Sequence, residues 1–137
     1  MTVDEIGTYL AGAGLGLTLG TNLFLIPLPL ISPDKAVALD VYSGKPADRT
    51  FGGSLAVNAN EYPEFQVFVR DVRENAREAM VLAYAIHRKL DNLGPVTLSG
   101  VVYRDVKGIA GEPKFLDFDQ NQRPIYWCAY EAAKDPS

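Results

Sequence analysis

The sequence predicts an α+β fold: a mainly antiparallel mixed sheet of about five to six strands with two helices packed on it. Three observations lead there. Val72, Ala76, Ala79, Met80, Ala83, His87 and Leu90 recur at helical spacing within one long segment. Val37–Tyr42 and Phe65–Arg70 alternate between apolar and polar positions, as strands with one buried face do. Beyond Pro95, short apolar runs are separated by glycines and polar turns, which reads as further strands.

Taken in order, Thr2 is placed to cap a helix over Val3–Ala13, with Asp4 and Glu5 in the first turn, where the helix dipole favours acids. Gly12, Gly14 and Gly16 end it. Leu23–Leu30 carries Pro27 and Pro29, so it reads as an extended segment, a strand start or edge strand. Val37–Tyr42 is a strand closed by the turn Ser43-Gly44-Lys45-Pro46. Ala47–Tyr62 has little periodicity and is expected to be a long exposed loop, with a short strand possible at Ser54–Val57. Asp71 and Glu74 form the D-x-x-E pattern that opens the long helix, and Leu93-Gly94-Pro95 closes it. Val96–Val106 then reads as one strand and Asp105–Pro113 as a glycine-bearing loop. Lys114–Phe118 and Pro124–Tyr130 complete the set as two strands joined by Asp119-Gln120-Asn121-Gln122-Arg123.

A length of 137 residues is that of one domain, and 47% hydrophobic with 22% charged residues is a globular composition. The formal charge of −4 offers no general attraction for a phosphate backbone, so tight nucleic-acid binding is not expected. Cys128 is the single cysteine, which rules out an intramolecular disulfide and a cysteine-based zinc site. The start Met1-Thr2-Val3-Asp4-Glu5 is acidic where a signal peptide is basic, so an intracellular setting is expected. Ile6–Pro33 carries no charge, yet its five glycines, its polar Thr18, Thr21 and Asn22, and its prolines deny it the character of a membrane anchor.

Candidates for chemistry are sparse. Gly12-Ala13-Gly14-Leu15-Gly16 follows a helix instead of a strand and lacks the G-x-G-x-x-G spacing, so it reads as a helix exit and no nucleotide cofactor is expected. His87 with Asp91 one turn later could orient an imidazole, and Cys128 could supply a nucleophile, but nothing in the sequence joins the two. Asp117 and Asp119 could share a strand face; acids beside a polar turn more commonly cap it. Arg70, Arg73, Arg77, Arg88 and Lys89 are interleaved with Glu74 and Glu78, a pattern of a solvated or subunit-facing surface. No enzyme, metal or cofactor is expected.

The order of elements carries a resemblance. A first helix, a proline-bearing extended segment, a strand ending in Tyr42-Ser43-Gly44, a strand entered through Tyr62-Pro63-Glu64-Phe65-Gln66-Val67, a long helix and a Pro113 to Pro124 strand pair follow one another from about Glu5 to Glu131. This resembles the tail terminator proteins, also known as minor capsid or neck proteins, of long-tailed bacteriophages. The resemblance implies a structural virion subunit, made in the host cytoplasm and located at the head–tail neck. It implies a homohexameric ring that caps the tail tube protein, ends tail elongation and meets the head–tail connector or stopper, while DNA passes through without specific binding; it implies no cofactor and no membrane. Another neck or head completion protein, a small enzyme or an adaptor domain are the competing expectations. The weakly periodic segments Ser43–Tyr62 and Asp105–Pro113 are expected to carry the docking contacts. Interface residues are accordingly sought at Arg49, Phe51, Arg70, Arg73, Arg77, Asp105 and Lys107.

Overall fold

A computed structural model of the protein describes residues 1–45 and 60–135. Its elements run α1 (Thr2–Ala11), β1 (Leu23–Phe24), β2 (Ala36–Lys45), β3 (Tyr62–Arg70), a 3-10 turn at Arg73–Asn75, α2 (Ala76–Leu90), β4 (Val96–Leu98), β5 (Val101–Gly108), β6 (Lys114–Phe118) and β7 (Pro124–Lys134). The seven strands form one sheet in the order β1-β2-β3-β7-β5-β4, with β6 also paired to β7. Among the described strands only β1 and β2 pair in parallel, so the sheet is mixed and mainly antiparallel, and the α+β expectation holds.

Side-chain alternation decides what the sheet buries. Phe65, Val67 and Val69 of β3 face Tyr130, Cys128 and Tyr126 of β7 in register. Together with Val37 and Leu39 they form a face on which both helices lie, giving one hydrophobic cluster. α1 contributes Val3, Ile6 and Leu10; α2 contributes Ala79, Leu82, Ala83, Ile86 and Leu90. At the typical cost of emptying such a site, Ile86→Ala would remove about 2–5 kcal/mol.

Several boundaries differ from expectation for identifiable reasons. Thr2 is the first helical residue and not the cap, and α1 stops at Ala11, where Gly12 turns its N–H back onto the Thr8 and Tyr9 carbonyls. β2 runs through Ser43, Gly44 and Lys45 instead of turning, because a register shift after Val41 absorbs the irregularity and pairing with β3 continues to Tyr62. Pro46, the 47–59 part of the expected loop, the short strand at Ser54–Val57, and with them Arg49 and Phe51, lie outside the described residues.

Asp71 does not cap α2. Its Oδ1 accepts from the adjacent Val72 N–H, and the chain makes a 3-10 turn before the helix proper begins. The buried stripe is consequently turned toward Leu82 and Ile86, leaving Val72, Ala76 and Met80 half-buried. Val96–Val106 is not one strand but a hairpin, since Ser99 (φ 50°) and Gly100 (φ 80°) both adopt the left-handed conformation that a tight two-residue turn requires. Asp105–Gly108 belongs to β5, not to a loop; the shift between Tyr103 and Asp105 hides the alternation from a period count.

β7 is the central strand. β3 lies along one side of it, while β5 and β6 lie end to end along the other. Among the described residues, nothing pairs with the outer edge of β6, nor with that of β2 beyond Ala38.

Candidate functional site

Two arginines are buried on either side of the segment that leads from Pro29 to Asp34. Arg70, 2% exposed, donates Nε to the Asp34 carbonyl (3.1 Å), one Nη to the Pro33 carbonyl (2.5 Å) and the other to the Pro29 carbonyl. Arg123, 3% exposed, donates to the carbonyls of Leu30 (2.5 Å) and Ile31 (2.6 Å) and to the carboxylates of Asp119 (2.7 Å) and Asp34 (3.1 Å). Burial and the neighbouring Arg123 charge hold the Arg70 pKa below its ordinary value. At Asp119, burial raises the pKa, but backbone N–H groups of Arg123 and Asn121 and the Arg123 guanidinium outweigh it, and the net shift is downward. Asp119 thus caps the β6–β7 turn and anchors Arg123 at once. The mesh fixes a backbone and leaves its side chains outside: Ile31 is 81% exposed, and Leu30 is exposed beside it.

A second cluster brings together residues the sequence left apart. His87 Nδ1 lies 2.9 Å from the Tyr130 hydroxyl and 3.8 Å from Cys128 Sγ, and Nε2 lies 3.8 Å from Asp91, whose other oxygen accepts from the Gly108 N–H. The composition is that of a nucleophile, a base and an orienting acid. Its surroundings are those of a core. Burial pushes the Cys128 thiol above its ordinary pKa, against what a reactive thiolate needs. The gap lined by Cys128, Tyr130 and Trp127 has no room for a water molecule. The cluster satisfies a buried imidazole and ties α2 to β7.

A third buried group lies at the other end of the sheet. Glu5 Oε1 accepts from Tyr103 (2.5 Å) and from Lys134 Nζ (3.0 Å), with the N-terminal amine 3.4 Å from Oε2. Burial opposes ionisation of Glu5, yet the Tyr103 and Lys134 hydrogen bonds and the Lys134 charge prevail, and its pKa is lowered. The same burial and the adjacent carboxylate push the Tyr103 phenol upward. Among the described residues, no group of three or more His, Cys, Asp or Glu side chains could hold a metal ion, and no helix is long and apolar enough to cross a membrane.

No protein-family model matches this sequence, and no curated protein matches it. A solved chain from the virion of a native gene transfer agent particle superimposes with a TM-score of 0.62 at 16% identity, over 96% of this chain and 94% of that one. The two share a fold. A second solved chain aligns at a TM-score of 0.52 and 12% identity, over 99% of this chain and 93% of that one. At such identities the likeness concerns architecture, and function has to be argued from the surfaces.

The residues sought as interface positions are scattered by the fold. Arg70 is an internal strut, unavailable to a partner because its three donor groups are used within the subunit. Arg73 is exposed, with its guanidinium 5.0 Å from the Phe118 ring centre. Arg77 lines an open cleft of about 380 Å³ with Leu15, Lys35 and Val81. Asp105 and Lys107 stand on β5 opposite Ala133 and Glu131, Asp105 half-buried and Lys107 exposed. Unanticipated by the sequence reading is the outward character of β6, all five of whose residues are exposed, Phe115, Leu116 and Phe118 among them. The signal was present in Lys114-Phe115-Leu116-Asp117-Phe118, which has no clean alternation and so no face that a core could claim.

Proposed function

We propose that this chain is a structural subunit of a phage-like virion and, within it, the tail terminator: a ring-forming protein that caps the tail tube, ends its elongation and presents its other face to the head connector. The observation that carries the reading is the shared fold, over nearly the full length of both chains, with a component of a gene transfer agent virion. The disposition of reactive groups supports a structural role. The histidine and the thiol are packed inside, while the outward surface offers apolar side chains on fixed backbone. A net charge of −4 suits a ring that lets DNA pass without holding it.

Removal of the subunit from assembling particles tests the reading. Tail tubes should then grow past their normal length and fail to join heads, and the wild-type chain supplied separately should restore fixed length. Tubes of normal length that fail only at joining would point instead to another neck or head completion subunit. Mature particles from which the chain is absent would overturn the virion assignment.

A further inference from the structure

We infer that the open β6 edge of one subunit docks on the open β2 edge of a second copy, head to tail, so that the sheets of neighbouring subunits continue into one another. The inference rests on the ring reading and assigns its self-interface.

β6 is a sheet edge of the kind that soluble proteins ordinarily blunt or cover. Its outer side has no partner among the described residues, and Leu116, at the register shift, is 52% exposed. Its aromatic side chains are held in place. Phe115 packs edge-on against Phe118 (5.1 Å) and Tyr126 (5.8 Å), and Arg73 covers the Phe118 ring. Arg73, over the Phe118 ring of β6, also lines a mostly polar cleft with Ile31, and so links the strand to the segment pinned by Arg123.

The far edge of the sheet offers the counterpart. β2 beyond Ala38 is unpaired on its outer side among the described residues, and Val41 there is 62% exposed. Beside it, between the start of α1 and β3, opens a cleft of about 340 Å³ with Met1, Val3, Val41, Pro63 and Phe65 in its walls. Glu61 and Glu64 line this cleft together with Lys134 and Met1, and β6 carries Lys114 and Asp117, so the match between the two edges lies in exposed apolar side chains and not in net charge.

Position selects a second copy as the occupant. The pairing β2-β3-β7-β6 sets the two edges on opposite sides of the sheet. Register also sets them at opposite ends: β6 lies level with Pro124–Trp127, and the open part of β2 lies level with Cys128 and beyond. Two unlike open edges with exposed apolar side chains that face apart make a head-to-tail contact, which closes into a ring when the rotation permits; a two-fold dimer would instead need one patch that matches itself.

The test uses Leu116→Asp and Val41→Asp, both at exposed positions, with circular dichroism to confirm folding and native mass spectrometry to count subunits. Wild-type chain should give a ring, and each variant alone a monomer. An equal mixture should give a dimer and nothing larger, because Val41→Asp keeps its β6 edge and Leu116→Asp keeps its β2 edge. Mixed Leu116→Cys and Val41→Cys chains should form a disulfide-linked pair that neither forms alone. If wild-type rings form and both aspartate variants still form them, this interface is wrong and the ring reading stands. If the wild-type chain stays monomeric and the cysteine pair fails to cross-link at about millimolar concentration, the interface is overturned, and tail length decides the ring reading separately.

Discussion

At one end of the sheet, Arg70 and Arg123 direct most of their donors to backbone carbonyls of the segment from Pro29 to Asp34; at the other, Lys134 directs its ammonium to the carboxylate of Glu5. Both arrangements are buried, and they do different things. A guanidinium keeps its charge at any pH a protein meets, and five donors in a rigid fork can hold several carbonyls in a set shape. The Glu5–Lys134 pair joins two elements at one point and depends on the charge of a carboxylate. The first arrangement fixes the form of an outward-facing segment, and the second fixes the start of α1 to the end of β7.

The largest effect is expected from Arg123→Met. It removes the guanidinium from Asp119 Oδ2 and from the Leu30 and Ile31 carbonyls, leaving Asp119 its backbone N–H donors and Leu30 only Asn121 Nδ2, and should cost about 3–5 kcal/mol in a denaturant titration. Lys134→Met should cost somewhat less, about 3 kcal/mol at neutral pH, because Glu5 keeps the Tyr103 hydroxyl and the N-terminal amine as partners and can also take up a proton. The double variant Glu5→Gln with Lys134→Met should recover most of that loss. Recovery of nothing would mean that Lys134 acts through packing and not through its charge.

Acid should weaken both ends, because each holds a carboxylate with a lowered pKa. The folded state holds Glu5 below its ordinary value of 4.5 and Asp119 below 3.8. Between the unfolded and folded values the unfolded chain therefore binds more protons, so both contributions are complete above the ordinary carboxylate range and fade as pH falls through it. Glu5→Gln should flatten the acid limb of stability measured from about pH 5 to about pH 3, with the Asp119 share remaining.

Smaller changes are expected in the interior cluster and at the surface. Cys128→Ser and His87→Gln should each cost about 1–2 kcal/mol, the value of a disturbed buried hydrogen bond, and still yield functional particles. A clean loss of particle function in a folded variant would refute the structural reading of that cluster. Ile31→Ser should stay within about 0.5 kcal/mol of wild type. Set beside Arg123→Met, it tests whether the fold depends on the backbone of this segment and not on its side chains.

What the sequence disclosed follows contact range. Phe65–Arg70 and the long helix were legible because their signals are local, alternation in one and helical period in the other, although the helix ends at Leu90 with Asp91 extended, ahead of the expected Leu93-Gly94-Pro95 stop. The Ser99-Gly100 turn was missed because its hairpin strands are short, one of them only three residues, too few for a period. Arg70 read as a member of a surface cluster, and Arg123 as part of a polar turn. Their partners at Pro29, Leu30 and Ile31 lie 41, 93 and 92 residues away, and no spacing rule reports that. Glu5 fitted a helix dipole equally well whether or not Lys134 was to meet it. His87 and Cys128 were named separately, and the β3–β7 register beneath α2 is what joins them.

The strand in the middle of the sheet is also the last of the described strands to be made. As the polypeptide leaves the ribosome, β3 and β5 must wait for Pro124–Lys134 before either gains its shared partner. Glu5 waits across 129 residues for Lys134. A nascent chain halted at Arg123 would hold two separate sheet fragments, each with an unpaired edge and neither able to close the core. Closure of the sheet thereby waits until synthesis has passed Lys134.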